Sequence, residues 1–220
     1  TVRAIRSNTK KPIYMKISPH IPEPVKFAEA VREAGATGVA AINSLGPTMN
    51  INISKRSLEY CGESGFVWTS GPVIRNLALG IVYTIKKALP DFTVIGTGGV
   101  QNADDILQFL LAGASGVQML SGALLKGKDL YSKIIKELPA VLDKYGFSDV
   151  KEVYDTGLSI ETVYEPTATV LDEDKCTHCR LCERICPYFA ITYDEKIIID
   201  KDKCFGCGLC ISKCPVGALS

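Results

Sequence analysis

The chain is short of the residues that announce the commonest function classes. Its 220 residues include two histidines and one tryptophan, and 25 basic side chains nearly cancel 24 acidic ones, leaving a formal net charge of +1. Balance this close gives no reason to expect nucleic acid or an anionic membrane surface as partner. His20 follows Pro19 in a loop and His178 sits between two cysteines. Neither has an evident partner, so both read as structural. No signal peptide or transit segment opens the chain, and Thr1 is not an initiator. The one long uncharged run, residues 106–125, is broken by Gly113, Gly116 and Gly122 and carries Gln108 and Gln118. It predicts a buried helix, a turn and a buried strand rather than a membrane span.

Cysteine is abundant, and its spacing is specific. Cys176-x-x-Cys179-x-x-Cys182-x-x-x-Cys186-Pro187 is repeated as Cys204-x-x-Cys207-x-x-Cys210-x-x-x-Cys214-Pro215. This is the ligand pattern of a bacterial-type ferredoxin with two [4Fe–4S] clusters. In that pattern the fourth cysteine of each run serves the other cluster. Cys176, Cys179, Cys182 and Cys214 are thereby assigned to one cluster, and Cys186, Cys204, Cys207 and Cys210 to the second. A disulfide framework belongs to an oxidising compartment and does not demand this spacing twice. Paired zinc sites show two Cys-x-x-Cys pairs, not four cysteines in a run ending at proline. Clusters are assembled from reduced thiols, which points to the cytoplasm. Cys61, the one cysteine outside the two runs, reads as a bystander, since nothing nearby in sequence lowers its pKa.

The rest of the chain alternates short apolar runs with helix-length segments. Strands are predicted at residues 13–17, 38–42, 93–96 and 116–120, and helices at 23–34, 73–88, 103–112 and 129–145. Apolar strands separated by helices predict a parallel α/β sheet covered on both faces. Four βα units in about 150 residues mean a small open sheet or half of a (β/α)₈ barrel, which in full takes about 250 residues. The expected division is a first domain over residues 1–150, a linker over 151–169 and a ferredoxin domain over 170–220. Within the last, residues 190–199 predict two strands joined by a turn at Asp194-Glu195.

The strand ends carry the chemistry. Lys16 closes the first, Asn43-Ser44 the second, Gly96-Thr97-Gly98-Gly99 the third and Leu120-Ser121-Gly122 the fourth; Ser70-Gly71-Pro72 precedes a helix. In barrels, polar residues at carboxyl strand ends form the active site, and glycine turns there leave N–H groups free to meet a phosphate. A phosphorylated cofactor is expected. The segment from residue 45 to 69, rich in Asn, Ser and Gly and holding Trp68, is read as a crossing of the barrel mouth, with a lid role compatible.

The order Lys16, Asn43-Ser44, Ser70-Gly71, Thr97-Gly98-Gly99, Gly113-Ala114-Ser115, Gln118, Leu120-Ser121 resembles the C-terminal half of the dihydroorotate dehydrogenase-like FMN barrel. The form it most resembles is that of the dihydropyrimidine dehydrogenases, where a two-cluster ferredoxin module follows the barrel. The resemblance implies an α/β fold: half of a TIM barrel, then a small α+β ferredoxin domain. It implies that Lys16, Ser70, Gly71, Thr97, Gly98, Gly99, Leu120 and Ser121 hold FMN and that Asn43 and Ser44 meet a pyrimidine-like substrate. The implied activity is hydride exchange between FMN and a CH–CH bond of the ring, with electrons relayed through two [4Fe–4S] clusters. No catalytic acid or base is identified, since the loop that bears it in this family falls outside these residues. The implied partners are a subunit with FAD and NAD(P)H or a soluble ferredoxin, in a homo- or hetero-oligomer. The alternative is a non-catalytic electron-transfer subunit whose half-barrel docks on another chain.

Overall fold

The structure, a computed structural model, describes residues 1–59, 65–160 and 168–220, apart from the side chain of Leu158; Cys61 lies outside the described residues. The chain divides into two compact units, Thr1–Ile160 and Glu161–Ser220.

The first unit begins with α1 (Val2–Arg6), β1 (Tyr14–Ile17), α2 (Pro24–Glu33) and β2 (Gly38–Ala41). An excursion follows, made of β3 (Leu45–Thr48), β4 (Ile51–Asn52), β5 (Ser57–Leu58) and β6 (Val67–Thr69). In it β3 pairs with β6 and β4 with β5, both antiparallel. A 3₁₀ turn at Pro72–Ile74 leads into α3 (Arg75–Ala88). Then come β7 (Thr93–Thr97), α4 (Ala103–Leu111), β8 (Gly116–Gln118), α5 (Ser121–Lys126), α6 (Leu130–Tyr145) and α7 (Val150–Ser159).

Four strands form one sheet in the order β1-β2-β7-β8, and every pair is parallel. Lys16 stands beside Ala40, Ala41 beside Gly96, and Thr97 beside Gln118. All four strands therefore finish at one edge of the sheet. Ile17, Val39, Ala41 and Val94 join Ala28, Val31, Val82, Ile85 and Phe109 of α2, α3 and α4 in one apolar core. Each fully buried Val, Ile or Phe in it contributes roughly 1.5–3 kcal/mol. The helices cover this face only. Tyr14, Lys16 and Gln118, which alternate with the core residues, are exposed, although Ala40 beside Lys16 is buried, so the expected cover is complete on the helix side alone. The fourth strand, expected buried to residue 120, stops at Gln118 and is half-exposed, because β8 has a neighbour on one side only. The uncharged run 106–125 becomes the body of α4, then β8 and most of α5. Among the described residues no helix is long and apolar enough to cross a membrane.

The linker expected over 151–169 begins instead as a helix. Asp149 caps α7 by accepting from Glu152 N–H at 2.8 Å, and Glu152 in turn accepts from the N–H of Ser148, just before the cap, at 2.7 Å. Gly157, mistaken in sequence for a loop residue, lets α7 lie against the backbone of Leu111 in α4.

The second unit holds α8 (Leu181–Ile185), β9 (Ile191–Asp194), β10 (Lys196–Ile199) and α9 (Leu209–Lys213), with β9 and β10 an antiparallel hairpin turned at Glu195. Val170 and Ser220 exchange backbone hydrogen bonds, closing the unit on itself. Ile191, Ile197, Cys210 and Leu219 form its buried core.

Substituting Gly157→Ala tests the α4–α7 contact. Alanine gains about 1 kcal/mol of helix propensity, but its Cβ meets the unyielding backbone of Leu111, and overpacking costs about 1–3 kcal/mol. Net destabilisation should appear as a lower urea midpoint; a midpoint raised by the propensity gain would contradict the packing.

Candidate functional site

Parallel register brings the loops after β1, β2, β7 and β8 to one end of the sheet, and there they enclose a pocket of about 400 Å³, partly open to solvent. Most of that space is its open mouth; the part closed around water-sized groups is about 50 Å³, a shallow cleft rather than an enclosed cavity. Lys16, Ser44, Ser70, Gly71, Thr97, Gly98, Gly99, Leu120 and Ser121 all line it. Asn43 does not; it is exposed, and its backbone N–H donates to Ile17 O at 2.8 Å. Lys16 projects from the face of the sheet that the helices leave open; it is exposed and forms part of the pocket wall. Across the pocket the hydroxyls of Ser44 and Ser70 are 2.6 Å apart. His20, read as partnerless, accepts Gly46 N–H on Nε2 at 3.3 Å.

Two glycine turns meet here. Gly71, Gly98 and Gly99 have φ of 90°, 135° and 77°, values that a side chain rarely adopts. A Cβ on Gly99 would lie 2.8 Å from both Gly71 O and Arg75 Cβ, so the Gly71 turn leaves no room for a side chain at Gly99. Among the described residues no acceptor takes the N–H groups of Gly98, Gly99, Ser121 or Gly122. Unspent backbone donors beside a lysine and several hydroxyls suit an anionic group such as a phosphate.

Sequence reasoning missed the support behind this loop. Asp105, 1 % exposed, accepts from Arg75 and from Gln101 N–H. Asn102 caps α4 by accepting from Asp105 N–H at 2.9 Å. The Gly98–Asn102 connection is thus fixed at its far end by a buried carboxylate. In sequence, Asp104-Asp105 shows only the acidic first turn favoured by a helix dipole; Arg75 is thirty residues away in the chain.

The second unit gathers its cysteines in two sets. Cys176, Cys179, Cys182 and Cys214 line one pocket, and Cys186, Cys204, Cys207 and Cys210 another. All eight thiols are free of disulfides. Among the described residues no three His, Cys, Asp or Glu side chains close on a single ion; thiolates set around a four-iron cage stand further apart than that. Backbone amides point at sulfur: Ala190 N–H donates to Cys186 Sγ at 3.4 Å, Ala218 N–H to Cys214 Sγ at 3.2 Å and His178 N–H to Cys176 Sγ at 3.4 Å. Burial pushes the Cys182 thiol up. It pushes Cys214 up as well, but the amides of Val216, Ala218, Gly217 and Leu219 outweigh it and hold that thiol below the ordinary range. Thr169, placed in the linker by sequence, lines the second cysteine pocket.

The first unit is thus a nucleotide-binding βα half-barrel and the second a cluster-binding domain. Residues 1–142 match the family model for dihydroorotate dehydrogenase, and residues 175–218 the model for a 4Fe-4S dicluster domain. The first match spans more than half of the chain, which belongs to the dihydroorotate dehydrogenase family. Among its relatives are three described as "Dihydroorotate dehydrogenase B (NAD(+)), catalytic subunit". That of Bacillus pumilus is 38% identical over 151 residues, covering 68% of this chain and 47% of the relative. The one from Oceanobacillus iheyensis is 35% identical over 149 residues, covering 68% and 47%. The Pyrococcus furiosus protein is 36% identical over 152 residues, covering 69% and 49%. The chain spans about half the length of these curated relatives.

Membership implies FMN in the first unit, and the dicluster domain implies two [4Fe–4S] clusters in the second. The residues fit both: free amides and side-chain-free turns for a phosphate, and two sets of four thiols for the cages. Gly99→Ala should therefore weaken FMN binding at least tenfold in a flavin-fluorescence titration, through a Cβ in contact with Gly71 O and a φ that costs about 1–2 kcal/mol. Gly80→Ala, in α3 with no atom within 4 Å of the added Cβ, should leave it unchanged. Equal affinity in both variants would remove the glycine turns from the site.

Proposed function

We propose that the chain is the flavin- and iron–sulfur-bearing part of an oxidoreductase acting on a CH–CH bond of a pyrimidine-like ring, dihydroorotate or a dihydropyrimidine. The observation that supports it best is the single pocket: residues from four strand ends and from the loop before α3 line one cavity. Bound there, FMN supplies hydride transfer, and bound clusters supply one-electron transfer, which together join two-electron chemistry to a one-electron chain.

The chain's own groups divide the work. Amides of Gly98, Gly99 and Ser121, with Gly71 and Leu120 alongside, bind and orient the nucleotide phosphate. Thr97 and Ser70 add hydroxyls beside them. Lys16 sets a cation at the pocket wall, where it offsets the negative charge that reduction brings. Ser44 faces the pocket and, with exposed Asn43 next to it, is assigned to the carbonyl and N–H groups of the substrate ring. Among the described residues none is assigned as general acid or base.

The eight cysteines hold the clusters as two sets of four. The electron partner we assign is a subunit carrying FAD and NAD(P)H, or a soluble ferredoxin; because such clusters are assembled from reduced thiols, we assign the protein to the cytoplasm. Strands β1 and β8 each have one neighbour in the sheet, and such open edges favour a homo- or hetero-oligomer.

Anaerobic purification of the chain with the proteins that accompany it tests this reading. About one FMN and eight irons per chain should be present, and dihydroorotate or dihydrouracil should bleach the flavin band. Lys16→Ala should slow that bleaching by about 10²-fold, the magnitude typical of losing one preorganised charge or donor, with cluster content unchanged. A preparation rich in clusters but without flavin would favour the electron-transfer subunit instead.

A further inference from the structure

The second unit repeats itself within one chain. Residues 169–191 align with 197–219, so that Cys176, Cys179, Cys182 and Cys186 match Cys204, Cys207, Cys210 and Cys214. The backbone follows the alignment: His178, Arg180 and Phe189 have positive φ where Gly206, Gly208 and Gly217 do. Hydrogen bonds follow it as well. Asp172 N–H donates to Ala218 O as Asp200 N–H donates to Ala190 O, each at 2.8 Å.

One buried matched position breaks the repeat chemically. Thr169 corresponds to Ile197. Thr169 is 6 % exposed and its Oγ1 lies 3.5 Å from Cys210 Sγ, in the pocket of Cys186, Cys204, Cys207 and Cys210. Its amide and hydroxyl also face Cys204. Ile197 is 4 % exposed, lines the other cysteine pocket and has no polar side-chain atom to offer.

The difference matters for electron affinity. A hydroxyl that donates to a thiolate ligand stabilises whichever state carries more negative charge on sulfur. One electron added to a [4Fe–4S]²⁺ cluster raises that charge, so a donated hydrogen bond raises the reduction potential. Burial among apolar neighbours leaves the bond undiluted by water. A competing influence is Arg180, which lines the first pocket. Its Nε is 2.8 Å from Glu183 Oε2 and its side chain is 52% exposed, so its field is paired and screened.

We infer that Thr169 makes the cluster held by Cys186, Cys204, Cys207 and Cys210 the more readily reduced of the two, so that an electron delivered by a reduced flavin comes to rest there. This rests on the assignment of the second unit as a two-cluster domain. The test is an EPR-monitored redox titration of the anaerobically purified chain. The wild type should show two unequal one-electron potentials. Thr169→Val should lower the more positive one alone, by up to about tenfold in the reduction equilibrium, or about 59 mV for one electron. Ile197→Thr should raise the more negative one alone, and the double exchange should invert their order. Thr169→Ser, which keeps the hydroxyl, should preserve the gap. A gap unchanged or widened by both single variants, or one lost in Thr169→Ser, overturns the inference. Fewer than two reducible clusters in the wild type would overturn the two-cluster assignment, and the inference with it.

Discussion

Parallel strand register is the constraint on which the first unit depends. Because β1, β2, β7 and β8 run the same way and end level, their outgoing loops reach the same edge of the sheet. Residues as far apart in sequence as Lys16 and Ser121 then share one cavity wall. The core beneath supplies the rigidity. Apolar side chains from three helices fix the sheet from one side, and the buried Asp105 carboxylate anchors the loop that carries Gly98 and Gly99. Breaking a buried ion pair by removing one partner costs about 3–5 kcal/mol. Arg75 is 28% exposed, which places this pair near the lower end.

The second unit uses a different device, backbone amides aimed at sulfur. Short loops between cysteines turn through left-handed residues so that N–H groups face the thiols. Glycine fills three of these positions in the second run. In the first run His178, Arg180 and Phe189 accept the same strained conformation. Arg180 recovers part of that cost through its ion pair with Glu183 and its cation–π contact with Tyr193, 4.8 Å to the ring centroid.

Features set by local chemistry were legible in the sequence. The cysteine runs are legible because three thiolates on one turn of chain demand fixed spacing. The four sheet strands are legible because a buried parallel strand must be apolar, and their ends could be named because polar residues interrupt those runs. Features set by distant partners were not. The Asp105–Arg75 pair joins two helices, and neither residue shows it alone. Lys16 lies in an apolar strand, yet its face of the sheet is the one the helices leave open. Helix α7 was missed although Asp149 and Glu152 carry its capping signal, because Thr156 and Gly157 look like a loop until Leu111 is seen against them. Thr169 lies one residue before the boundary expected for the second domain, yet it packs against Cys210. Asn43 shares a strand end with Ser44, but only Ser44 turns into the pocket.

The central claim is that free backbone amides at neighbouring strand ends grip the phosphate of a flavin nucleotide. Amide NMR of ¹⁵N-labelled chain titrated with FMN addresses it directly. The Gly98, Gly99, Ser121 and Gly122 resonances should shift together and saturate with one FMN. Saturable FMN binding that leaves these four unmoved while other amides respond would contradict the account.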